Sequence, residues 1–138
     1  MIEIIAGKNG VLGDDTIARV LTELYDEGLM PDWWKLEPQA SEKAWAAIDA
    51  VIFARDPLCR GVLLLGLEAS VEALREGFAV ARTSKSVRGF AVGRTIWVDA
   101  GKRWLAGEID DETAVKDMAR RFRTLCEAWD AVGDTVAA

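Results

Sequence analysis

The sequence predicts an α/β fold in which four consecutive strand–helix units build a parallel sheet. Four short apolar runs alternate with amphipathic stretches along the 138 residues, a pattern that indicates strands and helices in turn. The connections are too long for hairpins, so neighbouring strands are expected to run parallel. Residues 61–67 are apolar on both faces, which is typical of a strand covered on both sides. We expect one domain over residues 1–138, as suits this length.

The element boundaries follow from caps and breakers. The runs predicted as strands cover residues 2–6, 32–37, 61–67 and 87–92. Helices are expected to start at Asp14-Asp15-Thr16, Ser41 and Ser70, whose side chains can cap a helix. The first helix should end at Gly28. A long last helix is predicted over residues 111–131, with an apolar face of Val115, Met118, Phe122, Leu125 and Trp129.

The composition argues against several kinds of partner and chemistry. A net charge of −6 disfavours nonspecific binding to nucleic acid or to an anionic membrane. The chain has no histidine, so catalysis would have to use Lys, Arg, Asp, Glu or backbone groups. Residues 1–5 lack the pattern of a signal peptide, and no apolar run approaches the ~20 residues that span a bilayer. We therefore expect a cytoplasmic protein.

A sheet of four such units can belong to either of two architectures: a small open sandwich, or half of an eight-stranded barrel. Charged residues lie in or just past the carboxyl ends of the predicted strands: Lys8, Lys35, Glu37, Glu68 and Arg94. Both arrangements bind ligands at that edge, and in barrel enzymes the chemistry lies there. These charges therefore favour half a barrel.

Lys35 is the first candidate for chemistry. It lies in a run that otherwise resembles a buried strand, and alternation places it on one face with Trp33 and Glu37. Burial without a partner favours a neutral amine, which can attack a carbonyl and form a Schiff base, as in class I aldolases. The alternative is a structural ion pair from Lys35 to Glu37 or to Glu3.

Glu3 is a second candidate, because it interrupts the first predicted strand. A carboxylate that points into a barrel can orient a lysine or move protons. The alternative is an exposed residue of an edge strand.

Gly66, Gly93 and Arg94 form a candidate phosphate site at the ends of the third and fourth predicted strands. If these strands are neighbours, glycine N–H groups can approach a phosphate closely and the arginine adds charge. The alternative is that the glycines only allow tight turns and that Arg94 is a surface cation.

Three segments carry a resemblance to known proteins: residues 31–38, which read PDWWKLEP, residues 59–67 and residues 88–97. They resemble the C-terminal domain fused to bacterial 5-dehydro-2-deoxygluconokinase, of myo-inositol catabolism. More distantly they are similar to tagatose-bisphosphate aldolases and their class I relatives, which are (β/α)8 barrels. The resemblance implies that the four units are the second half of such a barrel.

The resemblance also implies roles for the candidate residues. Lys35 would form the Schiff base, Glu3 or Glu37 would assist proton transfer, and Gly66, Gly93 and Arg94 would hold phosphate. The implied reaction cleaves 6-phospho-5-dehydro-2-deoxygluconate into dihydroxyacetone phosphate and malonate semialdehyde, with no metal or other cofactor. The second catalytic lysine of these aldolases has no counterpart here, so activity of this chain alone stays open.

Alternative functions and partners remain open on the same resemblance. The chain could be a noncatalytic sugar-phosphate-binding module, a module associated with a kinase domain, or an inactive truncated barrel. A half-barrel exposes two strand edges and an apolar inner face, which soluble proteins rarely leave open. We therefore expect two copies to associate and pair their half-barrels.

Overall fold

The computed structural model describes residues 1–67 and 69–136, so Glu68 lies outside the described residues. The described residues form four strands: β1 (Ile2–Ile4), β2 (Trp33–Leu36), β3 (Gly61–Leu64) and β4 (Val87–Phe90). They also form five α-helices: α1 (Thr16–Asp26), α2 (Glu42–Arg55), α3 (Val71–Ala81), α4 (Arg94–Leu105) and α5 (Asp111–Val136). A 3-10 turn, Gly7–Asn9, follows β1.

The strands build one parallel sheet in the order β1-β2-β3-β4. The predicted α/β fold with consecutive strand–helix units is therefore confirmed. The register places Glu3 beside Lys35, Lys35 beside Leu63, and Leu63 beside Gly89. In the described part of the chain, β1 and β4 each pair on one side only. Closure into a barrel stays a prediction.

The two faces of the sheet differ in burial. Alternate side chains point to opposite faces, and Trp34, Leu36, Val62 and Leu64 are fully buried in a core shared with helix residues. We call the other side, made of Glu3, Trp33, Lys35, Leu63 and Gly89, the open face. Its Trp33, Lys35 and Leu63 are only half-buried. The expectation that the third strand is covered on both sides thus holds on the helix side only.

Helix caps follow the prediction in two places and depart from it in one. Ser41 and Ser70 accept hydrogen bonds from the backbone N–H groups of Ala44 and Ala73. At the start of α1 the Asp15 side chain makes no capping bond. Asp14 instead accepts a hydrogen bond from the Ser41 hydroxyl at 2.7 Å, and this bond, with Lys43 nearby, lowers the pKa of Asp14.

The helices after β4 differ most from the expectation. No helix is predicted between the fourth strand and residue 111, whereas α4 begins at Arg94. Helix α5 begins at Asp111, close to the predicted start, and continues to Val136. Its predicted apolar face is wrong at two positions, because Val115 is 65% and Phe122 is 51% exposed.

The packed face of α5 carries Ala114, Leu125 and Ala128, which are buried. This face turns toward α3 and α4, the helices that α5 contacts. The side with Val115 and Phe122 is left uncovered. Within the described ranges, no helix is both long and apolar enough to cross a membrane.

Candidate active site

Lys35 and Glu3 form an ion pair on the open face. Their strands are neighbours and the two residues are in register, which brings Lys35 Nζ to 3.1 Å from Glu3 Oε1. The side chains are 23% and 44% exposed, so a small molecule can reach the amine from the open face. Of the two ion pairs considered for Lys35, the structure contains the one with Glu3, so Lys35 has a partner and is not the unpaired buried lysine that would favour a neutral amine. The carboxylate is placed to accept a proton from the amine.

Trp33, Leu63 and Gly89 share the open face with this pair. Leu63 follows Lys35 across the sheet, and Gly89 follows Leu63. A Cβ added to Gly89 would meet only Leu63 Cδ2, at 3.8 Å. Trp33, two residues before Lys35 on the same face, is half-buried. The open face thus carries one amine and one carboxylate together with an aromatic, an aliphatic and a glycine residue.

Glu37 accepts hydrogen bonds from the backbone of the loop after β1. Its side chain is buried, and Oε2 accepts hydrogen bonds from the N–H groups of Ala6 at 2.7 Å and Gly7 at 2.9 Å. A Cβ added to Gly7 would lie 2.8 Å from Glu37 Oε1, so the glycine permits this close approach. Glu37 therefore holds the loop after β1 against the end of β2, and its predicted part in proton transfer stays a prediction.

Gly66 and Gly93 follow neighbouring strands, as their predicted role requires. Gly66 is buried, and a Cβ there would lie 2.8 Å from Val92 Cγ1, so it lets the loops after β3 and β4 pack together. Gly93 precedes α4, and its carbonyl accepts hydrogen bonds from the N–H groups of Ile96 and Trp97. The two glycines thus lie at adjacent strand ends, and each also has a packing reason to be glycine.

The backbone is strained beside Gly66. Leu67 has φ of +45° and is the non-glycine residue with positive φ among the described residues. A leucine in this left-handed region is held there at a cost of roughly 1 kcal/mol or more, and such residues concentrate at ligand-binding sites. Ala69 N then donates to Gly66 O at 2.8 Å, which closes the turn.

Arg94 directly follows Gly93 and is the first residue of α4. It is exposed and lines a cavity of about 390 Å³ between α4, α5 and the start of α3. Lys102 and Arg121 also line this cavity, whereas Gly66 and Gly93 do not. Arg94 therefore stands beside Gly93 and also contributes to a cavity with other cations, and the shared phosphate role of the three residues stays a prediction.

The cavity contains acceptors as well as cations. Arg121 donates to Asp99, which lines the cavity, at 3.0 Å and to Asp117 at 3.1 Å. The hydrogen bond from Arg120, together with the one from Arg121, lowers the pKa of Asp117. Lys102 stands eight residues after Arg94 on the same helix, a spacing that puts both on one face. That spacing could have identified Lys102 from the sequence if the helix had been predicted. Arg121 lies on α5 and reaches the cavity because α5 packs on α4. No local sequence pattern indicates that contact.

Comparison with known proteins gives one family. Residues 1–133 match a family described as "Uncharacterized protein conserved in bacteria (DUF2090)". No curated protein matches the sequence. The family description states no reaction. Since the match covers nearly all of its 138 residues, the chain belongs to the DUF2090 family.

Proposed function

We propose that this chain is a class I aldolase-like lyase domain in which Lys35 forms a Schiff base with a phosphorylated keto sugar acid. The observation that carries the proposal is the 3.1 Å contact between Lys35 Nζ and Glu3 Oε1 on the open face. A nucleophilic amine needs access to substrate and a group that takes its proton. The open face and the Glu3 carboxylate supply both requirements.

The chemistry follows from an amine on a ketone. Lys35 attacks the keto carbon and water leaves, which forms an iminium. When the carbon–carbon bond breaks, its electron pair moves into the iminium, and the distal hydroxyl carbon becomes an aldehyde as a base takes the hydroxyl proton. Protonation of the resulting enamine and hydrolysis release the second product and regenerate Lys35. With 6-phospho-5-dehydro-2-deoxygluconate, the substrate that the resemblance implies, the products are malonate semialdehyde and dihydroxyacetone phosphate.

The phosphate end of such a substrate needs cations or N–H donors. Gly66 and Gly93 at adjacent strand ends would offer backbone donors, and Arg94 would add charge. Leu67, strained beside Gly66, supports a functional constraint on this loop. We therefore place the phosphate at the ends of β3 and β4.

Reductive trapping tests the Schiff base directly. The protein is incubated with dihydroxyacetone phosphate and borohydride, and the modified residue is located by peptide mass spectrometry. We expect the adduct on Lys35 and its loss in Lys35→Met. Lys43→Met is the matched control, because Lys43 also contacts a carboxylate, Asp14 at 3.3 Å, but is 81% exposed. Wild-type protein without an adduct at Lys35 would contradict the proposal.

The roles of the two glutamates can be separated in the same assay. Glu3→Gln removes the base beside Lys35, so trapping should slow about 100-fold, within the usual range for a general base. Glu37→Gln keeps an oxygen that can accept from Ala6 and Gly7 but removes a base. If Glu37 moves protons during cleavage, this variant keeps the adduct and loses turnover of the sugar acid. Unchanged turnover assigns Glu37 to positioning alone.

A second candidate is a sugar-phosphate-binding module without catalysis, alone or beside a kinase domain. The cavity of Arg94, Lys102 and Arg121 favours it, because cations gather there without Lys35. Calorimetry with dihydroxyacetone phosphate distinguishes the two. Binding that is lost in Lys102→Met, together with no borohydride adduct, would support the binding module.

A further inference from the structure

We infer that a second copy of this chain completes the sheet, with β4 of each copy pairing with β1 of the other. The inference is independent of the lyase chemistry, because it rests on the edges and faces of the sheet. It also bears on the candidate site, since Lys35 and Glu3 lie on the face that the second copy would enclose.

The edges of the sheet are the first support. Over the described ranges, β1 pairs only with β2 and β4 only with β3. Each edge therefore presents backbone N–H and C=O groups to solvent, and such edges readily add another strand. All four strands are parallel, so a two-fold axis along the strand direction brings β4 of one copy beside β1 of the other in a parallel sense. That operation creates two identical seams and leaves no edge.

The open face is the second support. Parallel sheets are normally covered on both faces, yet here only the helix face is fully buried and Trp33 and Leu63 are half-exposed. Two copies supply eight strands, the number at which a barrel closes around an interior filled by side chains. The open faces of the two copies would then form that interior. Lys35 and Glu3 would be enclosed by it.

The apolar surface beside β4 is the third support. Phe90, on the edge strand, has its ring centroid 6.2 Å from that of Phe122 on α5, so Phe122 lies next to the free edge. Phe122 is 51% and Val115 is 65% exposed. In a closed barrel, a helix beside β4 packs on the next strand as well. Phe122 is the side chain that a neighbouring β1 and α1 would cover.

The charges on the two edges select a second copy as the occupant. The β1 edge carries Glu3, which pairs with Lys35 and still keeps 44% of its side chain exposed, and the β4 edge carries the exposed Arg88. When β1 of one copy lies beside β4 of the other, these opposite charges attract each other. The two-fold symmetry of the dimer forms this contact twice.

Sedimentation velocity on the whole chain tests the inference. We expect a species of twice the 15.1 kDa chain mass at micromolar concentration. Phe122→Asp should raise the dissociation constant at least about tenfold, because it places a charge in the seam. Phe53→Asp is the matched control. Phe53 is 53% exposed, but it lies on α2, between α1 and α3 in the sequence and away from the β4 edge. It should dimerise like the wild type.

Arg88→Glu provides a second variant, on an exposed strand residue, and it should also weaken association. Circular dichroism confirms that each variant remains folded. A wild-type chain that stays monomeric overturns the inference and leaves the edges to another partner. A dimer that resists both Phe122→Asp and Arg88→Glu, or that Phe53→Asp dissociates equally, overturns it as well.

Discussion

Strand register decides the environment of Lys35. The pairing of Glu3 with Lys35 and of Ile4 with Leu36 directs both charged side chains to the open face and both apolar ones to the core. A slip of one residue would exchange these faces and bury Lys35 under the helices, where Trp34 now lies. The apolar bulk of Trp34 and Leu36, both fully buried, therefore holds the amine in its accessible position.

Tyr25 makes the stability of the fold depend on pH in the alkaline range. It is the single tyrosine of the chain, and its hydroxyl accepts the buried Trp34 indole N–H at 2.7 Å. Burial raises the pKa of Tyr25 from 10.0 to about 12. The stability that the protonated phenol contributes is thus fully present below pH 10 and is lost as pH rises toward 12.

We expect urea unfolding to show this loss. The free energy of unfolding of the wild type should fall between pH 10 and pH 12 more steeply than that of Tyr25→Phe. At neutral pH the variant should be less stable by roughly 1–3 kcal/mol, because the Trp34 N–H loses its acceptor. Equal pH slopes in the two proteins would show that Tyr25 does not carry the dependence.

Single residues also show how far the sequence predicts the candidate site. Lys35 and Glu3 were identified from charge inside apolar runs, and the choice between their possible partners required the register. Glu37 was placed on the face of Lys35 by alternation, but it lies after β2 and binds the N–H groups of Ala6 and Gly7. Alternation applies within a strand, so the face to which Glu37 points, one residue beyond the end of β2, stays a prediction.

Asp49 connects two elements of the fold. It lies on α2 and accepts hydrogen bonds from the Ser84 hydroxyl, the Lys85 N–H, and both the N–H and hydroxyl of Ser86. These groups precede β4 directly, so one buried carboxylate fixes the path of the chain from α3 into β4. Their burial leaves water little access as a substitute.

Asp49→Ala should therefore destabilise the protein strongly. We expect a loss of about 3 kcal/mol in the free energy of unfolding, since several buried donors lose their acceptor. Asp26→Ala is the control: Asp26 pairs with Arg55 at 2.8 Å, with side chains about half-exposed, and its removal should cost less than about 1 kcal/mol. Denaturant titration of both variants measures the difference, and similar losses would refute the role of Asp49.

Helices were predicted correctly where a capping side chain precedes an amphipathic pattern, and the prediction failed where that combination is missing. Ser41 and Ser70 cap α2 and α3 as expected. Helix α4 follows Gly93, which offers no capping side chain, so its start gave no local signal. On α5 a hydrophobic stripe shows which side chains are apolar, but the packing of α3 and α4 decides which of them are buried. Val115 and Phe122 are the apolar residues that this packing leaves outside.

At the scale of the whole molecule, closure by a second copy would link folding to association. Ligands or partners that bind only the folded state raise the melting temperature as their concentration rises. We expect the Tm of the wild type to increase with protein concentration in calorimetry over a hundredfold range, and that of Phe122→Asp to stay nearly constant. A wild-type Tm independent of concentration would contradict the linkage.

The strand order β1-β2-β3-β4 has a further consequence, for the route by which the chain folds. Every strand pairs with the strand that follows it in sequence, so each crossover closes the shortest loop that a parallel sheet allows. Short loops lower the entropic barrier to strand pairing, and folding rates rise as the mean sequence separation of contacts falls. The sheet can therefore grow strand by strand from β1, as the chain leaves the ribosome, without waiting for its last residues.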